Sequence, residues 1–141
     1  MSTLILKEET PDRLVFVENP DNRKGGIFSL WSKKKSSETT IVLDLSVKRI
    51  TRTKTTPDRP DEQFGVFFDQ LKNITIYAAD YSPMPEFQWP AEMVLLLLDG
   101  SNFVFNSGSL GEMNTAANKI APLLGLAVEE KFVSSPKEFP N

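Results

Sequence analysis

Residues 93–125 constrain this chain more than any other stretch. Met93-Val-Leu-Leu-Leu-Leu98 is a continuous apolar run. It lacks the alternation of a half-solvated strand, so residues 92–98 are expected to form a strand buried on both faces. Asp99-Gly100 is a two-residue hairpin signal, and Asn102-Phe-Val-Phe-Asn106 is expected to return antiparallel. Ser107-Gly108 breaks that strand. Ser109 and Glu112 have the Ser-x-x-Glu spacing of a capping box. Met113, Ala116, Ala117, Ile120, Leu123 and Leu124 then recur at three- and four-residue intervals, one face of a helix. Pro122 falls in its last turn and should kink or tighten it. Gly125 supplies a left-handed cap.

The remaining segments are short and β-prone. Residues 3–8 and 13–17 read as strands joined at Thr10-Pro11-Asp12, an N-terminal hairpin. Residues 18–39 form a long connection that opens on turn-forming residues. Residues 40–44 and 47–54 read as two strands joined by a tight turn near Leu45-Ser46. In the second, Val47, Arg49, Thr51 and Thr53 share one face and Lys48, Ile50, Arg52 and Lys54 the other. Neither face is cleanly apolar, which suggests an edge strand guarded by charge. Residues 55–63, with two prolines, read as an exposed loop. Residues 64–68 and a segment from Leu71 to Tyr81 read as strands separated by a bulge or turn. Residues 82–90 carry three prolines and read as irregular. Residues 126–133 run back along the body, and residues 134–141 form a frayed, flexible tail.

Composition narrows the chemistry. The 141 residues are enough for one domain with its own core, expected over residues 1–133. There is no cysteine and no histidine. Disulfides, thiolate zinc sites, cysteine nucleophiles, imidazole metal sites and Ser-His-Asp triads are thereby excluded. Catalysis would fall to carboxylates, lysine, tyrosine or a bound hard metal, with Asp69, Asp80 and Asp99 as the carboxylate candidates. Their spacing suggests no pair, and Asp99 is accounted for by its turn. No Gly-rich phosphate loop is present. The expectation is therefore no enzyme, no cofactor and no metal. A net charge of −3 disfavours nucleic acid as a partner. The longest apolar run falls far short of the ~20 residues that cross a bilayer, so a soluble, cytoplasmic protein is expected.

Two loops display residues suited to interaction. In the first, Phe28 and Trp31 abut Lys33, Lys34 and Lys35, a pattern that sits at membrane interfaces. The competing account is that the aromatics pack under the loop and the lysines are solvated. In the second, Met84, Phe87 and Trp89 lie among prolines. They form a protein-binding patch, or, the favoured reading, Phe87 and Trp89 close one end of the core. Lys48, Arg49 and Arg52 could extend a basic surface for phosphate, but no aromatic residues are interleaved with them for base stacking.

The expected architecture is mainly β (α+β). A bent antiparallel sheet or partly open barrel of about seven to eight strands in meander order is closed by one C-terminal amphipathic helix. That order resembles the pleckstrin-homology-like superfold. The segments carrying the resemblance are residues 43–52, 71–76, 94–100 and 116–125. The chain is more specifically similar to uncharacterised bacterial and cyanobacterial proteins with such a domain. Some of these carry a transmembrane hairpin where this chain has only residues 25–35, too few to span. The superfold hosts lipid, peptide and scaffold roles. The resemblance implies a non-enzymatic interaction module that binds a protein partner, potentially at a membrane surface. The alternative is peripheral binding to anionic lipid through Trp31 and Lys33, Lys34 and Lys35. Oligomeric state is left open.

Overall fold

In the computed structural model the described residues are 3–19, 37–106 and 108–140. They are mainly β, with nine strands in two sheets and one α-helix near the C-terminus. The chain divides after Phe67 into two compact units.

The first unit is an antiparallel meander of five strands: β1 (Thr3–Glu9), β2 (Arg13–Asn19), β3 (Glu38–Asp44), β4 (Arg49–Thr55) and β5 (Glu62–Phe67), in that spatial order. Its register writes one face as three cross-strand rows. Leu14, Leu43, Ile50 and Val66 form a wholly apolar, buried row. The next row runs through the buried Phe16 and Ile41 to Arg52 and Phe64. The third holds Leu4, Glu18, Thr39, Lys54 and Glu62. The face thus grades from hydrocarbon to charge along the strands. Glu18 is 2% exposed, and Arg52 brings its guanidinium to 3.9 Å from its carboxylate. The Arg52 Nε is buried with no hydrogen-bond acceptor among the described residues.

β4 is not an edge strand: it lies between β3 and β5. The mixed composition misleads because several of its polar side chains find partners on neighbouring strands, although Arg49 and Lys54 stay exposed. Ile50 occupies the apolar row and Arg52 faces Glu18. Arg49 lies 5.6 Å over the Phe67 ring, and Thr53 Oγ1 accepts a hydrogen bond from Gln63 Nε2 at 3.3 Å. Gly65 makes room for this: a Cβ there would stand 2.7 Å from the Arg49 guanidinium. Val47 and Lys48 belong to the preceding turn, where Lys48 takes a positive φ of 54°.

The second unit contains β6 (Leu71–Ala79), β7 (Ala91–Leu97), β8 (Asn102–Phe105), α1 (Leu110–Leu124) and β9 (Val128–Val133). The spatial order is β8-β7-β6-β9. As the continuous apolar run implies, β7 is central and almost wholly buried. The hairpin after it is one residue longer than Asp99-Gly100 alone. Leu97 N donates to Ser101 O at 2.8 Å and Gly100 N to Leu97 O at 3.0 Å. Leu98 therefore joins the loop, and Gly100 takes the positive φ (90°) that follows such a turn.

β9 pairs in parallel with β6, from Ile74 opposite Val128 to Ala79 opposite Val133. The sheet is therefore mixed, and the helix is a crossover rather than the last element. This strand escapes pattern reading because all its residues but the last are exposed. The residues after β9 form a short turn. Ser135 caps a short 3₁₀ turn at Pro136–Glu138, and the Glu138 carboxylate accepts from the Ser134 and Ser135 amides.

The capping box forms as its spacing requires. Glu112 N donates to Ser109 Oγ at 3.3 Å, and Ser109 N donates to Glu112 Oε1 at 2.9 Å. Leu110, Met113, Ala116, Ala117 and Ile120 are buried, whereas Leu123 is exposed. Asn114 Nδ2 donates to Glu130 Oε2 at 3.4 Å, which fixes the side of the sheet that the helix covers. It is the face bearing Glu130, Ile76, Met93 and Phe105. Burying Leu110, Met113 and Ile120 contributes several kcal/mol, at ~1.5–3 kcal/mol for each large side chain.

Three strand ends share one device. Asp44, Asp80 and Asp99 each accept, through Oδ1, the amide and hydroxyl of the serine two residues on. The serine hydroxyl, followed by the backbone amide groups, holds each carboxyl below the ordinary aspartate value of 3.8. Because folding lowers these pKa values, their stabilisation is complete above the ordinary range and is withdrawn as pH falls below it through the lowered folded-state values. With no histidine to titrate, the melting temperature should be flat between about pH 5 and 8 and fall below about pH 4. The Asp44→Asn/Asp80→Asn/Asp99→Asn variant keeps an acceptor oxygen at each turn. Its melting temperature should fall less steeply with acid, as read by circular dichroism. An acid slope unchanged from wild type would contradict this role.

Candidate functional site

The second unit presents an aromatic cluster built on the joint between loop, sheet and helix. Asp80 opens the loop by gripping Ser82, and its backbone N–H donates to Val133 O at 2.9 Å. The Ser82–Pro83 peptide is cis. Met84 N donates to Tyr81 O, and a 3₁₀ turn follows at Glu86–Gln88. The Trp89 indole N–H reaches back to Met84 O at 2.9 Å and closes the loop on itself. Leu110 N donates to Trp89 O at 2.8 Å, Ala91 N donates to Gly108 O at 3.2 Å, and Pro90 bridges Ser109. The loop is thereby bonded to the first turn of α1. Gly111 permits a further close approach, since a Cβ there would meet the Phe87 backbone oxygen at 3.2 Å and its Cβ at 3.3 Å.

This frame turns apolar side chains outward. Phe87 is 59% exposed, Tyr81 55%, Phe132 54% and Met84 37%. Trp89 is half-buried, with its ring edge-to-face against Phe132 at 6.2 Å between centroids. Phe132 lies on the helix-bearing face of the edge strand β9, in the row of Ala78 and Ala91. A groove of about 390 Å³ runs between loop and strand, lined by Asp80, Glu86, Trp89, Phe132, Val133 and Ser134. Its lining carries two carboxylates and no cation.

Of the residues singled out in the sequence, Met84, Phe87 and Trp89 come together here. Phe87 does not plug the core: its ring faces solvent, and only Trp89 is part-covered. Phe28, Trp31, Lys33, Lys34 and Lys35 lie outside the described residues. Phe132 and Tyr81 are additions.

The basic residues of the first unit are differently disposed. The register sets Arg49 opposite Phe67 and Arg52 opposite Phe64, so aromatic rings do accompany the arginines, supplied by the next strand. Phe64 and Phe67 are both exposed. Arg49, though exposed, is stacked on Phe67; Arg52, on the opposite face of the sheet, faces Glu18; Lys48 and Lys54 are exposed. Asp80 and Asp99 are occupied by their serine turns, and Asp69 lies within a 3₁₀ turn at Phe68–Gln70.

Among the described residues no group of three carboxylates or other donors is placed to hold a metal ion. No helix among them is long and apolar enough to cross a membrane. Comparison with known proteins found no matching family model, curated protein or solved structure.

The frame separates support from display. Trp89→Phe removes the indole bond to Met84 O and should cost about 1 kcal/mol of stability. Phe87→Ala removes an exposed ring and should change stability by less than about 0.5 kcal/mol. Chemical denaturation of the two variants checks this. Equal losses, or a larger loss for Phe87, would contradict the division.

Proposed function

We propose that this protein is a non-enzymatic interaction module that binds a protein partner through the aromatic surface of its second unit. The observation carrying this reading is the Trp89–Phe132 ring pair beside a loop whose Tyr81, Met84 and Phe87 are exposed, as is Phe132, although a buried position would stabilise each of these four side chains. Such side chains dominate the energetics of protein interfaces, and a frame that fixes them in advance lowers the entropic cost of binding. The meander-then-helix order that resembles pleckstrin-homology-like domains adds support, because that superfold serves binding and scaffolding roles. The strand after the helix is a departure from a chain that ends on its helix.

Affinity capture from a lysate of the native host tests the proposal. Wild type and the Phe87→Ala/Phe132→Ala variant are compared at equal loading and with matched thermal melts. At least one protein should be recovered by wild type and lost, by about tenfold or more, with the variant. Identical recovered sets would overturn the assignment of this surface as the contact.

A further inference from the structure

The groove beside the aromatic cluster combines two features that select one chemistry. Its walls are the Trp89 and Phe132 rings, set at 86° to each other. Its rim carries Asp80 and Glu86. The Asp80 carboxyl, held low by the Ser82 hydroxyl and amide, is ionised at neutral pH. No hydrogen bond or ion pair engages the Glu86 carboxylate among the described residues. Lys131 is placed by the sheet register on the opposite face from Phe132, and Lys137 lies outside the lining. The groove therefore presents aromatic surface and negative charge with no internal cation to neutralise it.

We infer that this groove receives an arginine side chain from an extended segment of the partner protein, an inference that rests on the interaction role proposed above. A guanidinium is planar and weakly hydrated, stacks on aromatic faces, and offers paired N–H donors to a carboxylate. Trp89 and Phe132 supply the faces, and Glu86 supplies the acceptor. A lysine ammonium would satisfy the charge but not the stacking. A neutral or acidic segment would leave the two carboxylates desolvated without a partner, which is unfavourable. The aliphatic stem of the arginine would lie along Val133.

The test is selection of displayed random linear peptides on the whole protein, followed by affinity measurement of the winners against wild type, Phe132→Ala and Glu86→Gln. Both substituted residues are exposed, so both variants should fold. Selected peptides should be enriched in arginine, and both variants should weaken them about tenfold. Arginine→lysine in the peptide should weaken binding several-fold, and raising salt should weaken the wild-type complex more than that of Glu86→Gln. Peptides that need Phe132 but lack a cation, or that are indifferent to Glu86→Gln, would overturn the arginine inference and leave the interaction role standing. If every selected peptide binds Phe132→Ala as well as wild type, this surface is not the contact and both readings fall.

Discussion

The arrangement of the second unit depends on one joint, where Trp89, Pro90 and Ala91 are bonded to Gly108, Ser109 and Leu110. Three demands meet there. The helix needs its first amides satisfied, which Ser109 and Glu112 provide for each other and Trp89 O provides for Leu110. The central strand β7 needs a defined start, which the bond from Ala91 to Gly108 gives. The proline-rich loop needs an anchor, since its prolines lack the donors for a ladder of its own. A single set of backbone bonds answers all three, and the aromatic display follows from it.

The first unit solves a different problem with the same economy. Its five strands carry many charges, yet the register gathers Leu14, Leu43, Ile50 and Val66 into one apolar row and pushes charge toward the other end of the face. Glu18 and Arg52 lie where the gradient crosses from buried to exposed. A paired carboxylate and guanidinium at such a boundary adds little net stability, but a one-residue slip of β4 would turn Arg52 away from Glu18 and remove Ile50 from its row. The pair therefore contributes to choosing the register.

Elements whose local chemistry is self-contained were legible in the sequence. The helix was announced by its cap, its apolar spacing and Gly125; β7 by its unbroken hydrocarbon run; β1 and β2 by their β-branched and aromatic residues around a Thr-Pro-Asp turn. Elements defined by long-range pairing were not. β4 reads as an edge because alternation shows only its own residues, whereas Phe67 and Glu18, which match its arginines, are distant in sequence. β9 carries too few buried side chains to leave a pattern, so its parallel partnership with β6 is invisible until the helix has crossed the sheet. The candidate site divides the same way. Met84, Phe87 and Trp89 were visible as aromatic and methionine residues among prolines, while Phe132 and the groove wall it forms depend on β9.

The central claim is that the aromatic loop is a fixed part of the helix–sheet frame rather than a loosely attached segment. Amide hydrogen exchange in wild type and in Ser109→Ala tests it most directly. The cap variant should lower helix stability by about 1 kcal/mol. If the joint is one cooperative unit, the Trp89, Ala91 and Leu110 amides are protected in wild type and lose protection together, by a similar factor, in the variant. A Trp89 amide that exchanges freely in wild type while Leu110 stays protected would contradict the account.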